Sequence, residues 1–552
     1  MARMTFADLA ARAQARPAVA DRPIIRVGMS TCGMAAGAEP VFAVLNTEVK
    51  NRSLDWRVRR TGCAGMCSME PLVEVTLPGQ PAVMFGEVTP EFARQIVVDC
   101  AAGKPLPAEN RVPGLAELAR VAGDPVPAAG EDAPRQYRIV MRNCGVIDPE
   151  EIDEYIDRGG YQALGKVLSS MTPEQVIEEL KVAGLRGRGG AGFPAWLKWN
   201  LTRESKGDEH IIVCNGDEGD PGAYMDRSVL EGDPHAVLEG MIIGGFVIGA
   251  QTGFFYIRAE YPLAIQRIEK AIRQAKAAGL LGKNILGTEF SFNVEVRLGA
   301  GAFVCGEETA LIASLEGQRG TPRPRPPYPS VKGLWGQPTM INNVESLANL
   351  SQIVARGGEW FSTIGVGRST GTKVFAVTGK VKNAGLVEIP MGMTLRDVVE
   401  GICGGTSSGG PIKAVQTGGP SGGLIPATEL DTPITYEHLQ KLGSYMGSGG
   451  MMVMDESDDL VELSRFYLGF CVDESCGKCA PCRIGGTQML RLLDRIADGK
   501  GTTADVATIK RLARAMQRAS LCGLGQGAPS PILSALRYFE SEFADRLVPE
   551  AN

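Results

Sequence analysis

The sequence predicts a multidomain α/β protein that ends in a bundle of helices. Its 552 residues suffice for several domains at roughly 100 to 200 residues each. Strand-like runs alternate with amphipathic helical stretches along most of the chain, whereas its last part carries Leu, Arg and Ala at helical spacing. A stretch rich in Pro, Ala and Gly separates the N-terminal region from the rest.

Composition divides the chain into four folded regions and one linker. The first region is a small α/β domain with strands near Ile24–Val27 and Leu72–Val75. In the second, the runs HIIVC, FFYIRAE and FSFNVEVRL between long Gly-rich loops are typical of a ligand-binding α/β domain. KVFAVTG, AVQTGG and the helical TLRDVVEGI predict a β-grasp-like module. The predicted boundaries are 1–105 (N-terminal domain), 106–135 (linker), 136–363 (ligand-binding domain), 364–457 (β-grasp module) and 458–552 (helical bundle).

Charge and cysteine usage narrow the functional classes. A net charge of -6 gives no broad electropositive surface, so nucleic acid is excluded as an expected partner. Thirteen cysteines, an odd number, without a secretion signal indicate metal ligation in a reducing compartment, and we expect a cytoplasmic protein. The uncharged run from Gly240 to Ile257 predicts a buried helix, a turn and a core strand rather than a membrane span, so we expect no direct membrane insertion.

The stretch DESCGKCAPCRIGG, residues 473–486, predicts a metal centre. Its cysteines are Cys476, Cys479 and Cys482, and the only later cysteine is Cys522. One short loop can direct three thiolates at a single centre while a remote segment supplies the fourth. Zinc and a [4Fe-4S] cluster both accept four sulfurs, but structural zinc usually uses two separated ligand pairs, so this pattern favours the cluster. Cys471 is predicted to be a buried thiol.

A second motif, LRGRGGAGFPAWLKW at residues 185–199, places Gly187, Gly189 and Gly192 in G-x-G-x-x-G spacing. The preceding EQVIEELKVAG predicts a helix, whereas the dinucleotide-binding fingerprint requires a strand there. Glycines nevertheless let backbone N–H groups approach a phosphate or a flat ring, and Lys198 adds a positive charge. The loop is therefore predicted to hold a phosphorylated cofactor.

Three further loops are predicted to converge on this glycine loop: VCNGDEGDPGA (213–223), RLGAGAFVCGEETALIASLEG (297–317) and TMINNVESLANL (339–350). Asparagine suits the edge of a flavin ring because its amide both donates and accepts hydrogen bonds. Acidic residues can accept hydrogen bonds from the ribose of NADH and repel the extra phosphate of NADPH. Glu307 and Glu308 are equally consistent with an ordinary capped helix.

Five motifs in this order, GRGGAGFP, CNGDEGDPG, GAGAFVCGEET, PPYPSVKGLWGQPTMINNVES and ESCGKCAPC, resemble the NADH-oxidising flavoprotein subunit of respiratory complex I and its soluble relatives. The resemblance covers about residues 136–552, and the relatives include diaphorase subunits of NAD-dependent formate dehydrogenases and NAD-linked hydrogenases. It implies a Rossmann-like FMN-binding domain, a ubiquitin-like β-grasp domain of the SLBB type, and a helical bundle that binds [4Fe-4S]. The implied reaction is hydride exchange between NAD(H) and FMN with no catalytic side chain, followed by single-electron exchange with the cluster.

The resemblance also implies roles for individual residues. FMN would lie over Gly187, Arg188, Gly189, Gly190, Ala191 and Gly192, with Lys198, Asn215, Asp217, Asn342 and Asn343 around its phosphate and ring. NADH would contact Phe193, Glu218, Asp220 and Glu308, with Tyr328 at the adenine-stacking position, Phe303 near the flavin, and Gly306 and Glu307 in the same cofactor-binding segment. Trp196 stands where the family usually has glycine. Gly219 and Asp220 replace a typical Ser-Glu and resemble the soluble branch.

The N-terminal motifs VGMSTCGMAAGA and TGCAGMCSMEPLVEV resemble a thioredoxin-like [2Fe-2S] ferredoxin, which uses four cysteines as C-x4-C and C-x3-C. Cys63 and Cys67 match the second pair, but Gly28 and Gly33 stand at the first pair's positions, with Cys32 displaced by one. Two interpretations remain open: a docking domain without a cluster, or a [2Fe-2S] site that uses Cys32 and an atypical fourth ligand.

The favoured assignment is the diaphorase (β) subunit of a cytoplasmic NAD-dependent formate dehydrogenase. Its expected partners are a [2Fe-2S] thioredoxin-like small subunit and a large, molybdopterin-dependent iron–sulfur catalytic subunit, because the chain shows no molybdopterin or hydrogen-activating motif. The alternatives are a hydrogenase diaphorase, in which ferredoxin-type motifs often follow the position of Cys522, and a complex I flavoprotein, which normally lacks the fused N-terminal domain. A zinc-stabilised interaction protein is the alternative from another class.

Overall fold

A computed structural model describes residues 3–14, 21–122 and 136–549, and it confirms the predicted α/β multidomain class. Helix α1 (Phe6–Gln14) packs against the central domain through Leu9, which is buried. The N-terminal domain then forms its own sheet and core.

The N-terminal sheet has the strand order β2-β1-β3-β4-β5. Strand β1 pairs parallel with β2 and antiparallel with β3, as expected of a thioredoxin-like domain. In β1 the residues Ile25 and Val27 are buried and their neighbours Ile24 and Arg26 are less so, which is the period-two pattern of a strand with one buried face. The elements are β1 (Ile24–Gly28), α2 (Thr31–Ala35), α3 (Ala38–Asn51), β2 (Arg57–Thr61), β3 (Val73–Thr76), β4 (Val83–Phe85), α4 (Pro90–Ala101) and β5 (Arg111–Val112).

The described part of the predicted linker contains regular structure. Strand β5 lies within it and pairs with β4, and it is followed by α5 (Leu115–Leu118) and β6 (Ala119–Val121). Strand β6 pairs parallel with β7 (Gln136–Arg138). Val112 and Leu115 pack on a small apolar cluster of the N-terminal domain, which explains why this segment is not a free tether. The rest of the predicted linker, residues 123–135, lies outside the described residues.

The central domain is built on a parallel sheet with the order β10-β9-β8-β11. Its strands are β8 (Ile211–Gly216), β9 (Thr252–Arg258), β10 (Asn293–Gly299) and β11 (Thr339–Asn343). β8 and β9 are almost wholly buried, as is usual where helices cover both faces of a sheet. The helices are α6 (Ile152–Asp157), α7 (Gln162–Ser170), α8 (Pro173–Ala183), α9 (Ala195–Glu204), α10 (Met225–Gly232), α11 (Pro234–Ile248), α12 (Pro262–Ala277), α13 (Glu308–Leu315), α14 (Pro329–Lys332), α15 (Val344–Ala348), α16 (Leu350–Arg356) and α17 (Gly358–Ser362).

The uncharged run at 240–257 folds as predicted from the sequence. It forms the end of buried helix α11, a turn at Gly249 with φ 75°, and strand β9. In the described parts of the chain, no helix is long and apolar enough to cross a bilayer.

The β-grasp domain has the strand order β15-β14-β18-β16-β17, with β14 and β18 parallel at its centre. The predicted helix TLRDVVEGI contains a π-helical segment, Asp397–Ile402. The elements are the hairpin β12 (Gly365–Val366) and β13 (Ser369–Thr370), then β14 (Thr372–Gly379), β15 (Gly385–Pro390), β16 (Ile412–Thr417), β17 (Leu424–Pro426), α18 (Tyr436–Lys441) and β18 (Gly450–Asp455).

The C-terminal domain is helical, as predicted. In α20, Met489, Leu493 and Ile496 are buried at helical spacing and face the same core as Cys471. The helices are α19 (Leu460–Asp473), α20 (Gly486–Ala497), α21 (Thr503–Ala519), α22 (Gly523–Gly527), α23 (Ser530–Tyr538) and α24 (Glu540–Ala544), with a π-helical segment at Pro481–Gly485.

Candidate functional site

The order of the parallel strands creates a crevice at the carboxyl ends of β8 and β11. The chain runs from β8 to β9 and β10 on one side and returns at β11 on the other side of β8. Open α/β sheets bind ligands at such a switch point. Asn215 near the end of β8 is paired in register with Asn343 at the end of β11. The fold therefore brings the predicted asparagines together.

The glycine loop lies over this crevice between α8 and α9. The N–H of Gly187 donates to the Phe193 carbonyl at 2.8 Å, which closes the loop at its base. A Cβ on Gly189 would lie 3.0 Å from Cβ of Asn343, so the loop packs directly against the end of β11. Gly190 and Gly192 have φ of 126° and 63°, and such positive values favour glycine.

Buried polar atoms at the carboxyl ends of β8 and β11 lack hydrogen-bond partners in the described structure. They are both carboxylate oxygens of Asp217 and Nδ2 of Asn342. Asp217 Oδ1 lies 3.9 Å from Arg258 Nε, which is too long for a hydrogen bond. Buried polar groups are almost always hydrogen-bonded, so these atoms are placed for a ligand that supplies both donors and acceptors. The edge and hydroxylated side chain of FMN fit this requirement.

Burial also changes the acidity of the loop after β8. It raises the pKa of Asp217 to about 7, against the opposing effect of Arg258. Burial likewise raises the pKa of Glu218 to about 7 and that of Asp220 to about 6. Glu218 accepts hydrogen bonds from the backbone N–H groups of Asp226 and Arg227, so its carboxylate stabilises the start of α10. Asp220 Oδ2 accepts from Ser448 Oγ at 2.7 Å.

A cationic group lies on the other side of the crevice. Lys198 Nζ donates to the Ile341 carbonyl at 3.2 Å and to Glu308 Oε2 at 3.3 Å. Arg325 also donates to Glu308, at 2.6 Å. Glu307 instead caps α13 by accepting from the backbone N–H of Thr309. Helix capping therefore describes Glu307, whereas Glu308 holds two cations beside the glycine loop.

A short turn joins the crevice to the C-terminal domain. Asn215 Nδ2 donates to the Gly306 carbonyl at 2.9 Å, at the end of the 3-10 turn Phe303–Gly306. The Phe303 ring lies 5.5 Å from that of Phe470 in α19, and the Phe303 N–H donates to Glu474 Oε2 at 2.7 Å. One turn thus contacts both the flavin crevice and the helical domain.

The other residues predicted from the sequence differ in their exposure and in the groups that they contact. Phe193 and Tyr328 are 43% and 54% exposed, so both rings are accessible for stacking. The buried guanidinium of Arg188 donates to backbone carbonyls of the β-grasp domain, so this side chain does not line the crevice. Asn343 donates to Asp226 and caps α15. Trp196 lies near Lys181 of α8, with Nζ 5.8 Å from the ring centroid.

Sequence reasoning missed the contribution of the β-grasp domain. The Tyr436 hydroxyl donates to the Gly187 carbonyl at 2.9 Å, and a Cβ on Gly192 would lie 2.6 Å from the Tyr436 ring. Ser448 contacts Asp220, as described above. Neither residue belongs to a motif with chemical meaning, and both lie more than 200 residues from their partners. Their approach follows from domain packing alone.

The four cysteines of the C-terminal domain line one cavity. Its wall contains Cys476, Cys479, Cys482 and Cys522, together with residues such as Val304, Ser475 and Lys478. No three of these thiols, in the part of the chain that the structure describes, lie within 4.8 Å of one another. Sulfurs around a single zinc ion would be about 3.8 Å apart, given Zn–S bonds of about 2.3 Å. The wider spacing fits a [4Fe-4S] cluster.

Burial also changes the ionisation of the cavity thiols. Burial raises the pKa of the Cys522 thiol to about 11 and also raises that of Cys482. Bound iron provides the positive charge that holds such thiols as thiolates. Lys478 lies at the same wall and is fixed by donating to the Pro322 carbonyl at 2.7 Å.

The N-terminal domain brings Cys32, Cys63 and Cys67 together. The Sγ atoms of Cys32, Cys63 and Cys67 all lie within 4.8 Å of one another. Glu70 lies beside them, with Oε1 3.7 Å from Cys32 Sγ. Burial, then the neighbouring Cys32, raises the pKa of Glu70 to about 8.

Comparisons with known families match three of the domains. Residues 180–352 match the Nuo51 FMN-binding domain, 374–424 match the SLBB domain, and 462–546 match the NADH-ubiquinone oxidoreductase-F iron-sulfur binding region. The matched regions contain the glycine loop, the strand ends and the four-cysteine cavity.

Individual relatives cover most of the chain. The NADP-reducing hydrogenase subunit HndC of Solidesulfovibrio fructosivorans is 55% identical over 75% of this chain and 84% of its own length. An NADH-quinone oxidoreductase subunit of Escherichia coli is 41% identical over 74% of this chain and 93% of its own. A crystal structure of NAD+-reducing [NiFe]-hydrogenase in the H2-reduced state matches 99% of this chain and 88% of the solved chain, with a TM-score of 0.67 and 30% identity.

The motifs, the crevice geometry and the relatives agree. FMN and [4Fe-4S] are the cofactors of the matched domains, and the residues at both sites fit them. The chain belongs to the family of NADH-oxidising flavoprotein subunits that carry FMN and a [4Fe-4S] cluster.

Proposed function

We propose that this chain is the diaphorase subunit of a cytoplasmic NAD-dependent formate dehydrogenase, exchanging electrons between NAD(H) and a separate catalytic subunit. The observation that supports the diaphorase activity is the pair of buried groups without hydrogen-bond partners, Asp217 and Asn342, at the carboxyl ends of β8 and β11. These groups lie next to a turn that also borders the four-cysteine cavity.

The residues of the crevice bind and orient rather than exchange protons. When bound, FMN supplies the capacity to accept a hydride and release single electrons. The glycine loop offers backbone N–H groups, Lys198 supplies positive charge, and Asp217 and Asn342 fix the flavin by hydrogen bonds. Phe193 and Tyr328 offer exposed rings to the nicotinamide nucleotide.

The fused N-terminal domain favours a soluble complex over complex I. The E. coli quinone-linked relative is matched over 93% of its own length yet leaves about a quarter of this chain without a counterpart. The hydrogenase subunit HndC likewise leaves about a quarter of this chain unmatched, whereas the structural match to the NAD+-reducing hydrogenase chain covers 99% of it. The partners that we propose, as the family resemblance implies, are a [2Fe-2S] thioredoxin-like small subunit and a molybdopterin-dependent iron–sulfur formate dehydrogenase subunit.

A hydrogenase complex is the second candidate. It is supported by the 55% identity to the hydrogenase subunit HndC and by the match to the NAD+-reducing hydrogenase structure. The two candidates differ in the catalytic partner and not in the reaction of this chain. Identification of that partner therefore separates them.

The activity of the chain itself is tested by anaerobic titration with NADH, recorded by visible absorption and low-temperature EPR. We expect bleaching of a flavin band together with a [4Fe-4S] signal, and a much weaker response to NADPH. Absence of both a flavin band and reducible iron, in protein made with the cofactors available, would leave the interaction-protein alternative.

The partner is tested by purifying the tagged chain with its native complex. Formate-dependent NAD+ reduction and a molybdenum-containing subunit are expected. Hydrogen-dependent NAD+ reduction with a nickel–iron subunit would instead assign the chain to a hydrogenase. NADH oxidation with an artificial dye is measured in the same preparation. Failure to find a partner can therefore be distinguished from failure of the diaphorase activity.

A further inference from the structure

The N-terminal domain contains a compact thiol cluster that the flavin reaction does not use. Cys32 lies in α2, whereas Cys63 and Cys67 lie at the two ends of the loop that follows β2, so two separate segments contribute. The Sγ atoms of Cys63 and Cys67 are 3.6 Å apart, and all three Sγ atoms lie within 4.8 Å of one another. Several free thiols this close together are typical of a metal site.

Glu70 lies at the edge of this cluster beside Cys32, and among the described residues only the three thiols lie within 4.8 Å of one another. Its side chain is 7% exposed, and Oε1 lies 3.7 Å from Cys32 Sγ. The other oxygen accepts from the Leu72 N–H at 2.9 Å, which fixes the carboxylate beside the thiols. Within the described residues, no lysine or arginine forms an ion pair with Glu70. A buried carboxylate without a cationic partner is expected to be paired with a metal or to be neutral.

Two glycines explain why this donor set differs from that of a [2Fe-2S] ferredoxin. A Cβ on Gly28 would lie 3.0 Å from Oε2 of Glu70, so the carboxylate occupies the space that a side chain at position 28 would need. A Cβ on Gly33 would lie 2.3 Å from the Gly28 carbonyl oxygen, so the backbone itself excludes a side chain there. The ferredoxin resemblance implies four cysteines, but positions 28 and 33 carry glycine, and the surrounding structure leaves no room there for a cysteine side chain.

The distances between the thiol sulfurs distinguish a site for one metal ion from a site for a two-iron cluster. Four donors around one zinc-type ion place their sulfurs about 3.8 Å apart, given metal–sulfur bonds of about 2.3 Å. Ligands divided between two irons must stand farther apart than ligands of one ion. The observed sulfur separations therefore suit a single ion, in contrast to the wider four-cysteine cavity of the C-terminal domain.

We propose that Cys32, Cys63, Cys67 and Glu70 bind one divalent zinc-type cation in place of the two-iron cluster. Thiolates select soft or borderline cations such as Zn2+, and a carboxylate oxygen is an accepted fourth ligand in tetrahedral sites. An opening lined by Gly37, Glu70 and Glu87 reaches the Glu70 side of the site. This site does not depend on the proposed formate dehydrogenase assignment.

The site lies where the N-terminal domain contacts both the central domain and the β-grasp domain. The Tyr224 hydroxyl is 3.6 Å from Cys67 Sγ, and the Leu386 N–H donates to the Gly65 carbonyl at 2.9 Å. A Cβ on Gly62 would lie 2.3 Å from Cα of Gly232, so the two backbones touch. The cation therefore fixes the loop 62–67 that docks on the rest of the protein, and its role is structural.

The buried guanidinium of Arg138 supports this charge arrangement. It donates to the Ala64 carbonyl at 2.7 Å, next to Cys63, and its Nε has no partner among the described residues. Three thiolates and a carboxylate around a dication retain a net negative charge. The Arg138 cation, held next to Cys63 by this hydrogen bond, offsets part of that negative charge.

The test is metal analysis of the full chain, purified anaerobically with its cofactors. We expect about one zinc per chain in addition to the iron of the cluster. Cys32→Ser is expected to lose the zinc and keep the iron, whereas Cys479→Ser should lose the iron and keep the zinc. Glu70→Gln is expected to lower the affinity for zinc at least about tenfold, measured by competition with a chelator. Cys100→Ser, in the same domain but outside the cluster, is the matched control.

A second measurement keeps the proposal testable if a variant fails to fold. Cobalt added to metal-depleted wild-type protein is expected to give thiolate-to-cobalt and tetrahedral absorption bands at about one equivalent. A reducible [2Fe-2S] EPR signal from the N-terminal domain would overturn the proposal. So would wild-type protein that takes up neither zinc nor cobalt at these thiols.

Discussion

At the residue scale, the properties of the flavin crevice come from burial. Asp217 and Asn342 could be selected from the sequence because their motifs resemble a family and because amide and carboxylate groups suit a flavin. Their unpartnered state could not be predicted, since it depends on the distance from Arg258 and on the packing of the turn at Gly306. Only the folded arrangement shows that these groups are held ready for a ligand.

The raised pKa of Asp217 predicts a pH-dependent stability of the flavin-free protein. A carboxyl group whose pKa is higher in the folded state than in the unfolded chain destabilises the fold once it must ionise. From a shift between 3.8 and about 7, we expect a loss of about 2 to 3 kcal/mol between pH 5 and pH 8. Asp217→Asn should abolish this part of the decrease in the free energy of unfolding. Denaturant unfolding at pH 5 and pH 8 measures it.

Exposed Asp208 provides the control for that experiment. Asp208→Asn should leave the difference between pH 5 and pH 8 unchanged. Glu218 and Asp220 also have raised pKa values and stay in the variant, so some pH dependence should remain. Equal pH dependence in wild type and Asp217→Asn would contradict the prediction.

Removing a single thiol should separate the two cofactors. Cys522→Ser is expected to lose most of the cluster iron and its EPR signal, because the cavity then offers three thiolates instead of four. The flavin absorbance should remain, since Cys522 does not border the crevice. Cys471→Ala is the matched control, because this buried thiol does not line the cavity. Retention of full iron content in Cys522→Ser would exclude it as a ligand.

At the element scale, the glycine loop depends on a neighbour from another domain. The sequence predicted the loop, the helix before it and its use as a cofactor cradle. It could not predict that α18 supplies Tyr436, because no local pattern links positions 436 and 187. Local propensity determines where a loop occurs, whereas packing across domains determines its shape.

Gly192→Ala tests this dependence on Tyr436. The added Cβ would lie 2.6 Å from the ring, and φ of 63° is unfavourable for alanine. Strain of about 1 to 3 kcal/mol should displace the loop and weaken flavin binding about 10- to 100-fold. Flavin fluorescence during rebinding to the flavin-free protein measures the dissociation constant.

Gly249→Ala separates loop displacement from general glycine effects. Gly249 also has positive φ, at 75°, but a Cβ there would meet no atom within 4 Å. It should lower stability slightly while leaving flavin affinity unchanged. A similar loss of affinity in both variants would show that Tyr436 does not shape the loop.

At the scale of the whole molecule, one buried arginine joins domains. Arg267 in α12 donates to the Glu231 carbonyl at 2.6 Å and to the Met29 carbonyl at 2.8 Å. The Glu231 carboxylate in turn accepts from the Thr31 N–H at 2.9 Å. The sequence divided the chain into domains by composition, but these contacts between charged and backbone groups leave no periodic pattern.

Arg267→Met should loosen the N-terminal domain without unfolding it. Two buried carbonyls would lose a charged donor, at a cost of about 1 to 3 kcal/mol. Hydrogen–deuterium exchange in residues 24–33 should become about 10- to 100-fold faster. Arg273→Met on the same helix is the control because the Arg273 side chain is 68% exposed. Unchanged exchange in Arg267→Met would mean that other contacts suffice for docking.

The two glycines beside the thiol cluster restrict how the N-terminal domain could be re-engineered or could diverge further. A cysteine at position 28 must displace Glu70, and a cysteine at position 33 requires the backbone near Gly28 to move. Each replacement made alone would disrupt the existing donor set before a new one is complete. Single replacements that lead back to a four-cysteine ferredoxin therefore pass through intermediates in which neither site is intact. Both positions and the backbone of the segment 28–33 would have to be redesigned together.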